Sequence, residues 1–384
     1  MKRISVFLLC IGFLFWSEAH GQTEMPTELP SLISSLHIPA PTELLGERIP
    51  MDKQEVRERF EKELMISLWD RPQVILWLKR SRRYMPHIEK MLKENDLPED
   101  LKYVAVAESA LRPHVRSGRG ARGFWQFIAG TGRKYRLVIN RRVDERRNIF
   151  ASTRAAIQYF KDLHKTFGSW TLAVAAFNMG EEGLMTEIME QDTNDYYELY
   201  LPLETQRFIF RILSVKMIFE SPERFGFKLN EEDYYPPLRF DRVEVTCERE
   251  MPIRIVAKAA RTHFKVIKDL NPEIRGHYLA EGTHRILVPK GASEGFEARY
   301  QSAAKEHVTN EKEQVYFVKE GDSLSAIAER FDVPLTSLLL WNRLNPRRHI
   351  HPGQRLVIYP NNMKTDKRGS KKDENAGESS GKEE

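Results

Sequence analysis

"KYVAVAESALRPHVRSGRGARGFWQF", residues 102–127, passes from an apolar helical pattern through a basic, glycine-bearing loop into Trp-Gln-Phe. The preceding "LPED" supplies Pro98 and two acids as a start signal, and Pro113 demands a stop, so the spacing predicts a helix between them. Leu101, Val104, Ala105, Glu108 and Leu111 fall at i, i+3, i+4, i+7 and i+10, which points the Glu108 carboxyl where the core residues point. Burying a carboxylate is costly unless it is paired, hydrogen-bonded or protonated. Burial also raises a carboxyl pKa, and an acid still protonated near neutrality can donate a proton. The helix alone favours the plainer alternative, a glutamate paired with one of the many arginines.

The residues that follow shift that balance. Gly118, Gly120 and Gly123 permit tight turns and close approach of a bulky ligand. Trp125 and Gln126 come next, an aromatic face and an amide suited to a sugar ring and its hydroxyls or acetamido group. Trp125 has a core role as its alternative; the glycines flanking it favour the sugar platform. "AVAAFNMGEEG" sets Asn178 at the end of an apolar helix with Gly180 as its C-cap, and capping alone is the alternative for Asn178. Asp144 and Glu145, with two arginines on each side, read as ion-paired surface or loop-fixing acids. From Arg112 to Arg147 there are eleven Lys/Arg against two acids, a face for anionic groups or simply a solvated basic surface.

The chain has 384 residues, 41% hydrophobic and 30% charged, with a formal charge of +5. This is an ordinary globular composition with room for two or three domains. Lys2 and Arg3 precede the short apolar run "ISVFLLCIGFLFW", and small residues stand at Ala19 and Gly21. These read as a secretory signal peptide over 1–21, with a retained anchor as the alternative. Export argues against a nucleic-acid partner. Only Cys247 remains after cleavage, so no internal disulfide is expected. Residues 22–52, rich in Pro, Thr and Ser, read as a linker. From 53 to 220 helical stripes recur, as in Val56, Phe60, Leu64 and Leu68, and "RFIFRILSVKMIF" reads as a central buried helix.

Beyond "YYPPLRF" a repeat begins. Residues 243–291 and 314–362 superpose at an offset of 71 without a gap: Val256-Ala257 on Ile327-Ala328, Asn271 on Asn342, Gly282 on Gly353 and Pro289 on Pro360. Each copy reads as strand, helix, helix, strand. The last residues, 361–384, have almost no apolar side chains and read as a disordered tail.

In order and spacing, "ESALRP", Ser117, "GARGFWQF", "VDERRN", Trp170 with "LAVAAFNMG", and Glu204-Thr205 resemble the transglycosylase domain of the goose-type lysozyme superfamily. The arrangement is most similar to the membrane-bound lytic murein transglycosylase D family. "YFVKEGDSLSAIAERFDVPLTSLLLWNRLNPRRHIHPGQRLVIYP" resembles a LysM domain. The earlier copy has Glu250-Met251-Pro252 where Gly-Asp-Ser is expected and looks like a degenerate LysM unit. The implied architecture is α+β and multidomain: signal peptide 1–21, linker 22–52, an all-α lysozyme-like domain at 53–220, a degenerate unit at 240–291, a LysM domain at 314–360, and the tail.

The resemblance implies an enzyme that cleaves the β-1,4 bond between N-acetylmuramic acid and N-acetylglucosamine, leaving 1,6-anhydro ends. Glu108 protonates the glycosidic oxygen and then, ionised, takes a proton from the muramyl C6 hydroxyl. Ser117, Gly123, Trp125, Gln126, Phe177, Asn178 and Glu204 are the implied substrate-binding residues, Glu204 at the back of the cleft. Phe177 departs from the family's usual tyrosine. Gly321, Asp322, Ser323, Leu324 and Asn342 are the implied LysM glycan-binding residues. The implied partner is the peptidoglycan glycan strand, with no cofactor and no metal, in the periplasm or cell envelope. A muramidase-type hydrolase and a noncatalytic peptidoglycan-binding adaptor stand as alternatives.

Overall fold

The computed structural model describes residues 31–37, 42–310, 314–342, 344–345 and 349–358. The expected signal peptide, residues 22–30 and 38–41 of the expected linker, and the expected tail lie outside the described residues. The chain divides into two compact units, 1–238 and 239–384.

The first unit opens with α1 (Leu32–Ser35) and a hairpin of β1 (Glu43–Leu44) and β2 (Glu47–Arg48). Helices follow: α2 (Gln54–Trp69), α3 (Arg71–Lys93), α4 (Leu101–Ser109), α5 (Ala129–Lys134), α6 (Ile149–Phe167), α7 (Trp170–Met179), α8 (Glu181–Gln191) and α9 (Leu203–Glu220). The apolar stripe of α9 explains its central place: Phe208, Ile209, Phe210, Ile212, Leu213, Val215 and Ile218 are all buried, and the helix packs on α2, α4 and α7.

The linker expectation fails at its end. Leu44, Leu45 and Ile49 are at most 2% exposed and belong to the helical core. Gly46, at φ +79°, lets the chain reverse there and lay these side chains against the helices. The packed region also runs past 220, since Phe225 and Phe227 are buried and the Arg71 guanidinium lies 4.2 Å from the Phe227 ring centroid.

The second unit shows the repeat as structure. It holds β3 (Phe240–Cys247), β4 (Met251–Pro252), α10 (Ile253–Ala259), α11 (Phe264–Leu270), β5 (Tyr278–Leu279), β6 (Gly282–Pro289), α12 (Phe296–Asn310), β7 (Gln314–Phe317), α13 (Leu324–Arg330), α14 (Leu335–Asn342) and β8 (Arg355–Ile358). At the offset of 71, α10 falls on α13 and α11 on α14. The strands pair antiparallel in both copies, β3 with β6 and β7 with β8. The first copy adds α12, whose Phe296 and Tyr300 are buried against its core. The periodicity reading did not foresee that helix. The architecture is α+β, a helical unit followed by small βααβ units.

Asn271 and Asn342 explain why one asparagine recurs. Asn271 Nδ2 donates to Ile267 O and Leu287 O, both at 2.8 Å, while its Oδ1 accepts from Leu287 N at 2.8 Å. Asn342 repeats this with Leu338 O (2.9 Å), Val357 O (2.8 Å) and Val357 N (2.6 Å). In each copy the side chain ties the second helix to the last strand.

Candidate active site

The helix bearing Glu108 starts at Leu101, later than its proline signal. Asp100 is committed elsewhere, accepting from Leu45 N and Lys216 Nζ at 2.8 Å each. The helix ends at Ser109 because Ala110 and Leu111 turn left-handed, at φ +52° and +56°. Glu108 therefore sits in the last turn, where the chain leaves for the glycine-bearing loop.

That loop is closed on itself. Ser117 N donates to Ala121 O at 3.0 Å, Ala121 N returns to Ser117 Oγ at 3.1 Å, and Gly123 N donates to Val115 O at 3.2 Å. Beneath it lies a buried pair: Arg146 meets Asp144 through two bonds of 2.8 and 2.9 Å and donates from Nη1 to Gly120 O and Phe127 O at 3.1 Å. Asp144 is thus a loop-fixing acid, but a buried one rather than a surface one. Burial alone would raise its pKa; the bonds and charges of Arg146, with Arg147 and Arg122, hold it below the usual carboxylate range.

Glu108, Ser117, Gln126, Phe177, Asn178 and Glu204 line one cleft of about 740 Å³. Part of the Glu108 side chain opens on this space, while the carboxyl is densely surrounded by protein. The open part is what a ligand can reach; the surroundings set the proton's affinity. Desolvation pushes the Glu108 pKa up to about 8, against Arg211, which lowers it, and with Glu204, which raises it. Among the described residues no arginine nitrogen lies within ion-pair distance of this carboxyl. The plainer alternative of a structural glutamate–arginine pair is therefore excluded.

The other cleft residues are held from their own elements. Gln126, at φ +48°, donates from Nε2 to Gly123 O at 2.8 Å. Asn178 accepts from Thr205 Oγ1 at 2.9 Å at the end of α7, where Gly180 caps the helix. Phe177 stacks on Phe160 with centroids 4.7 Å apart and brings no hydroxyl to the acid. Glu204 lines the cleft from the first turn of α9, but it is solvent-exposed rather than set at the back.

Two expected binding residues do not reach the cleft. Trp125 is fully buried, donates from Nε1 to Thr153 Oγ1 at 3.0 Å, and packs edge-on to Phe160. The loop turns its ring inward, so it is a core residue and not a sugar platform. Gly123 is also buried: at φ +80° an added Cβ would lie 1.7 Å from Arg146 O. Its place is under the loop, letting two backbones touch. The expected LysM residues likewise spend their polar atoms internally. Asp322 accepts from Tyr316 Oη (2.5 Å) and Lys319 N (2.8 Å), Ser323 accepts from Ala326 N at 3.1 Å, and Asn342 is the helix–strand tie. Gly321 turns at φ +84° and Leu324 packs against the small core. Asp322 and Ser323 thus shape the loop at the start of α13, Ser323 stays exposed, and Asn342 lies away from that loop at the end of α14. Sequence reasoning missed Arg211, which lines the cleft; it carries no local signal, since its partner Glu63 comes from a distant helix.

The pattern of the transglycosylase SLT domain family matches residues 85–200, which include Glu108, Ser117, Gln126 and Asn178. The LysM pattern matches residues 316–358, and that of the LysM-like domain of lytic transglycosylase MltD matches 239–305. Glu204 and Arg211 lie just beyond the matched part of the SLT domain. Membrane-bound lytic murein transglycosylase D of Escherichia coli strain K12 is 34% identical over 293 residues, covering 73% of this chain and 64% of that protein. The chain thus spans less than two thirds of the relative's length. Among solved structures, the 70 kDa soluble lytic transglycosylase of Escherichia coli superposes with a TM-score of 0.34 and 18% identity, over 44% of this chain and 29% of that one. An inactive variant of the lytic transglycosylase Slt from Pseudomonas aeruginosa gives 0.29 and 22%, over 38% and 26%.

Proposed function

We propose that the chain is a peptidoglycan lytic transglycosylase, cleaving the β-1,4 bond between N-acetylmuramic acid and N-acetylglucosamine. The observation that carries this reading is Glu108: an unpaired side chain bordering a cleft lined by amide, hydroxyl and aromatic groups, its carboxyl desolvated so that the pKa rises to about 8. Protonated Glu108 gives its proton to the glycosidic oxygen as that bond to C1 breaks. The resulting carboxylate takes the proton of the muramyl C6 hydroxyl, whose oxygen closes on C1, so a 1,6-anhydro end forms and no water is consumed. The nucleophile is part of the substrate, so positioning supplies much of the acceleration. Ser117, Gln126, Asn178 and Glu204 are the residues we assign to holding the sugars, and the LysM unit at 314–360 to holding the strand.

Glu204 supports the hydrolase alternative, because a second carboxylate on the same cleft could activate water. Mass spectrometry of muropeptides separates the two readings: anhydro products are one water lighter than hydrolytic ones. Wild type is expected to clear purified sacculi and Glu108→Gln to leave them turbid; equal turbidity would support the noncatalytic adaptor. We assign the protein to the periplasm or cell envelope, where such a substrate lies. Among the described residues no helix is long and apolar enough to cross a membrane.

A further inference from the structure

We propose that Arg211, held by the buried Glu63, is a positioning residue that faces the negative charge formed on Glu108 when that acid gives up its proton. The inference rests on the reading of Glu108 as proton donor.

Glu63 comes from α2, and its side chain is only 3% exposed. Arg207 and Arg211 come from α9, one helical turn apart, and α2 packs on α9. Arg207 Nε lies 2.5 Å from Glu63 Oε1, and Arg211 Nε lies 3.9 Å from Oε2. One carboxylate against two guanidinium groups leaves a surplus positive charge. Arg207 already closes on Glu63, whereas Arg211 makes only the long contact and lines the cleft with Glu108. Arg211 makes no hydrogen bond among the described residues, so its donors remain uncommitted.

The other groups facing Glu108 do not supply this charge. Glu204, on α9, has the wrong sign and is exposed, where solvent screens it. Arg119, on the loop, is exposed as well, and Tyr159 of α6 is neutral, with burial pushing its phenol up to about 12. Behind α4, Arg80 of α3 donates to Ala110 O at 3.3 Å. Phe177 offers no hydroxyl. Arg211 is the partly buried cation on the cleft wall, with a tether that keeps it from pairing with Glu108 in the resting state. The acid can then stay protonated until substrate demands its proton, and its carboxylate finds a positive neighbour afterwards.

The test uses the full chain carrying carboxyl-¹³C glutamate, titrated by NMR, beside the pH dependence of sacculus clearance. Arg211→Gln is expected to raise the Glu108 pKa and move the basic limb upward by about half a pH unit or more. Arg211→Lys, which keeps the charge, restores the wild-type position. Glu63→Gln frees the Arg211 charge and shifts the limb the other way. A purely structural role would lower activity in all three without opposite shifts. If Glu63→Gln does not fold, as read by circular dichroism, the Arg211→Gln and Arg211→Lys pair decides. An unmoved Glu108 pKa in Arg211→Gln overturns the inference even if sacculi clear. A pKa that moves as expected in a protein that clears nothing upholds the charge coupling and instead overturns the enzymatic reading.

Discussion

Glu108 gains its chemistry from where its helix stops. Two left-handed residues end the helix there, so its side chain is packed by the core on one side and borders the cleft on the other. Because the protonated form is the donor, cleavage is expected to fall as pH rises through about 8, the value to which burial pushes this group. The same shift bears on stability. Between the ordinary value of 4.5 and about 8, the unfolded chain releases a proton that the folded chain keeps, so raising the pH across that window favours unfolding. Glu108→Gln removes the burden and should melt higher than wild type by a margin that widens from pH 5 to pH 8. A constant margin would show that the carboxyl is not desolvated. Gly123 is the opposite kind of residue, one whose value is the absence of atoms. Gly123→Ala forces a Cβ onto Arg146 O at a left-handed φ. It should cost at least about 2 kcal/mol in denaturant unfolding, and a cost near zero would mean the loop does not press on Arg146.

At the scale of elements, the helix carrying Phe177 and Asn178 is fixed from its far end. Glu47, just after the hairpin turn, accepts from Ser169 Oγ (2.9 Å), Trp170 N (2.5 Å) and Thr171 N (3.0 Å) at the start of α7. Burial alone would raise its pKa, but these bonds and that of the Thr171 hydroxyl bring it below the usual value. A depressed carboxylate contributes stability above its unfolded pKa and loses it as pH falls through the folded one. Glu47→Gln should therefore cost about 1–2 kcal/mol near neutrality and progressively less in acid, as read by urea unfolding at several pH values. A cost independent of pH would count against the charged cap. This hairpin also marks where sequence reading ends. The period of Glu108 with Leu101, Val104 and Ala105 was legible because one helix writes it locally, and the 71-residue offset because two copies write it twice. Two strands of two residues are too short to show alternation. Trp125 looked like a platform because glycines flank it, but which way a loop turns a ring depends on partners such as Thr153 and Phe160. Glu63 and Arg207 are 144 residues apart, and no spacing rule joins them.

For the whole molecule, the separate cores set what can be removed. The helical unit closes on its own hydrophobic cluster, and the second repeat closes on another built from Val318, Ile327, Leu338, Leu356 and Ile358. Deleting 314–358 should leave the first unit folded. It is expected to weaken co-sedimentation with sacculi while sparing cleavage of short soluble glycans, since retention and proton transfer then reside in different units. A point variant sharpens this, because the Asn342 side chain ties α14 to β8 by hydrogen bonds to both Val357 O and Val357 N. Asn342→Ala strands a carbonyl and an amide, should cost that repeat about 2 kcal/mol, and should reproduce the retention defect. Asn271→Ala makes the same cut in the copy whose Gly-Asp-Ser start is replaced by Glu250-Met251-Pro252. If that copy is a spacer, its unfolding should leave co-sedimentation intact. Equal loss from both asparagine variants would show that the first copy also holds glycan. Unchanged pelleting after the deletion would remove wall binding from the second copy altogether.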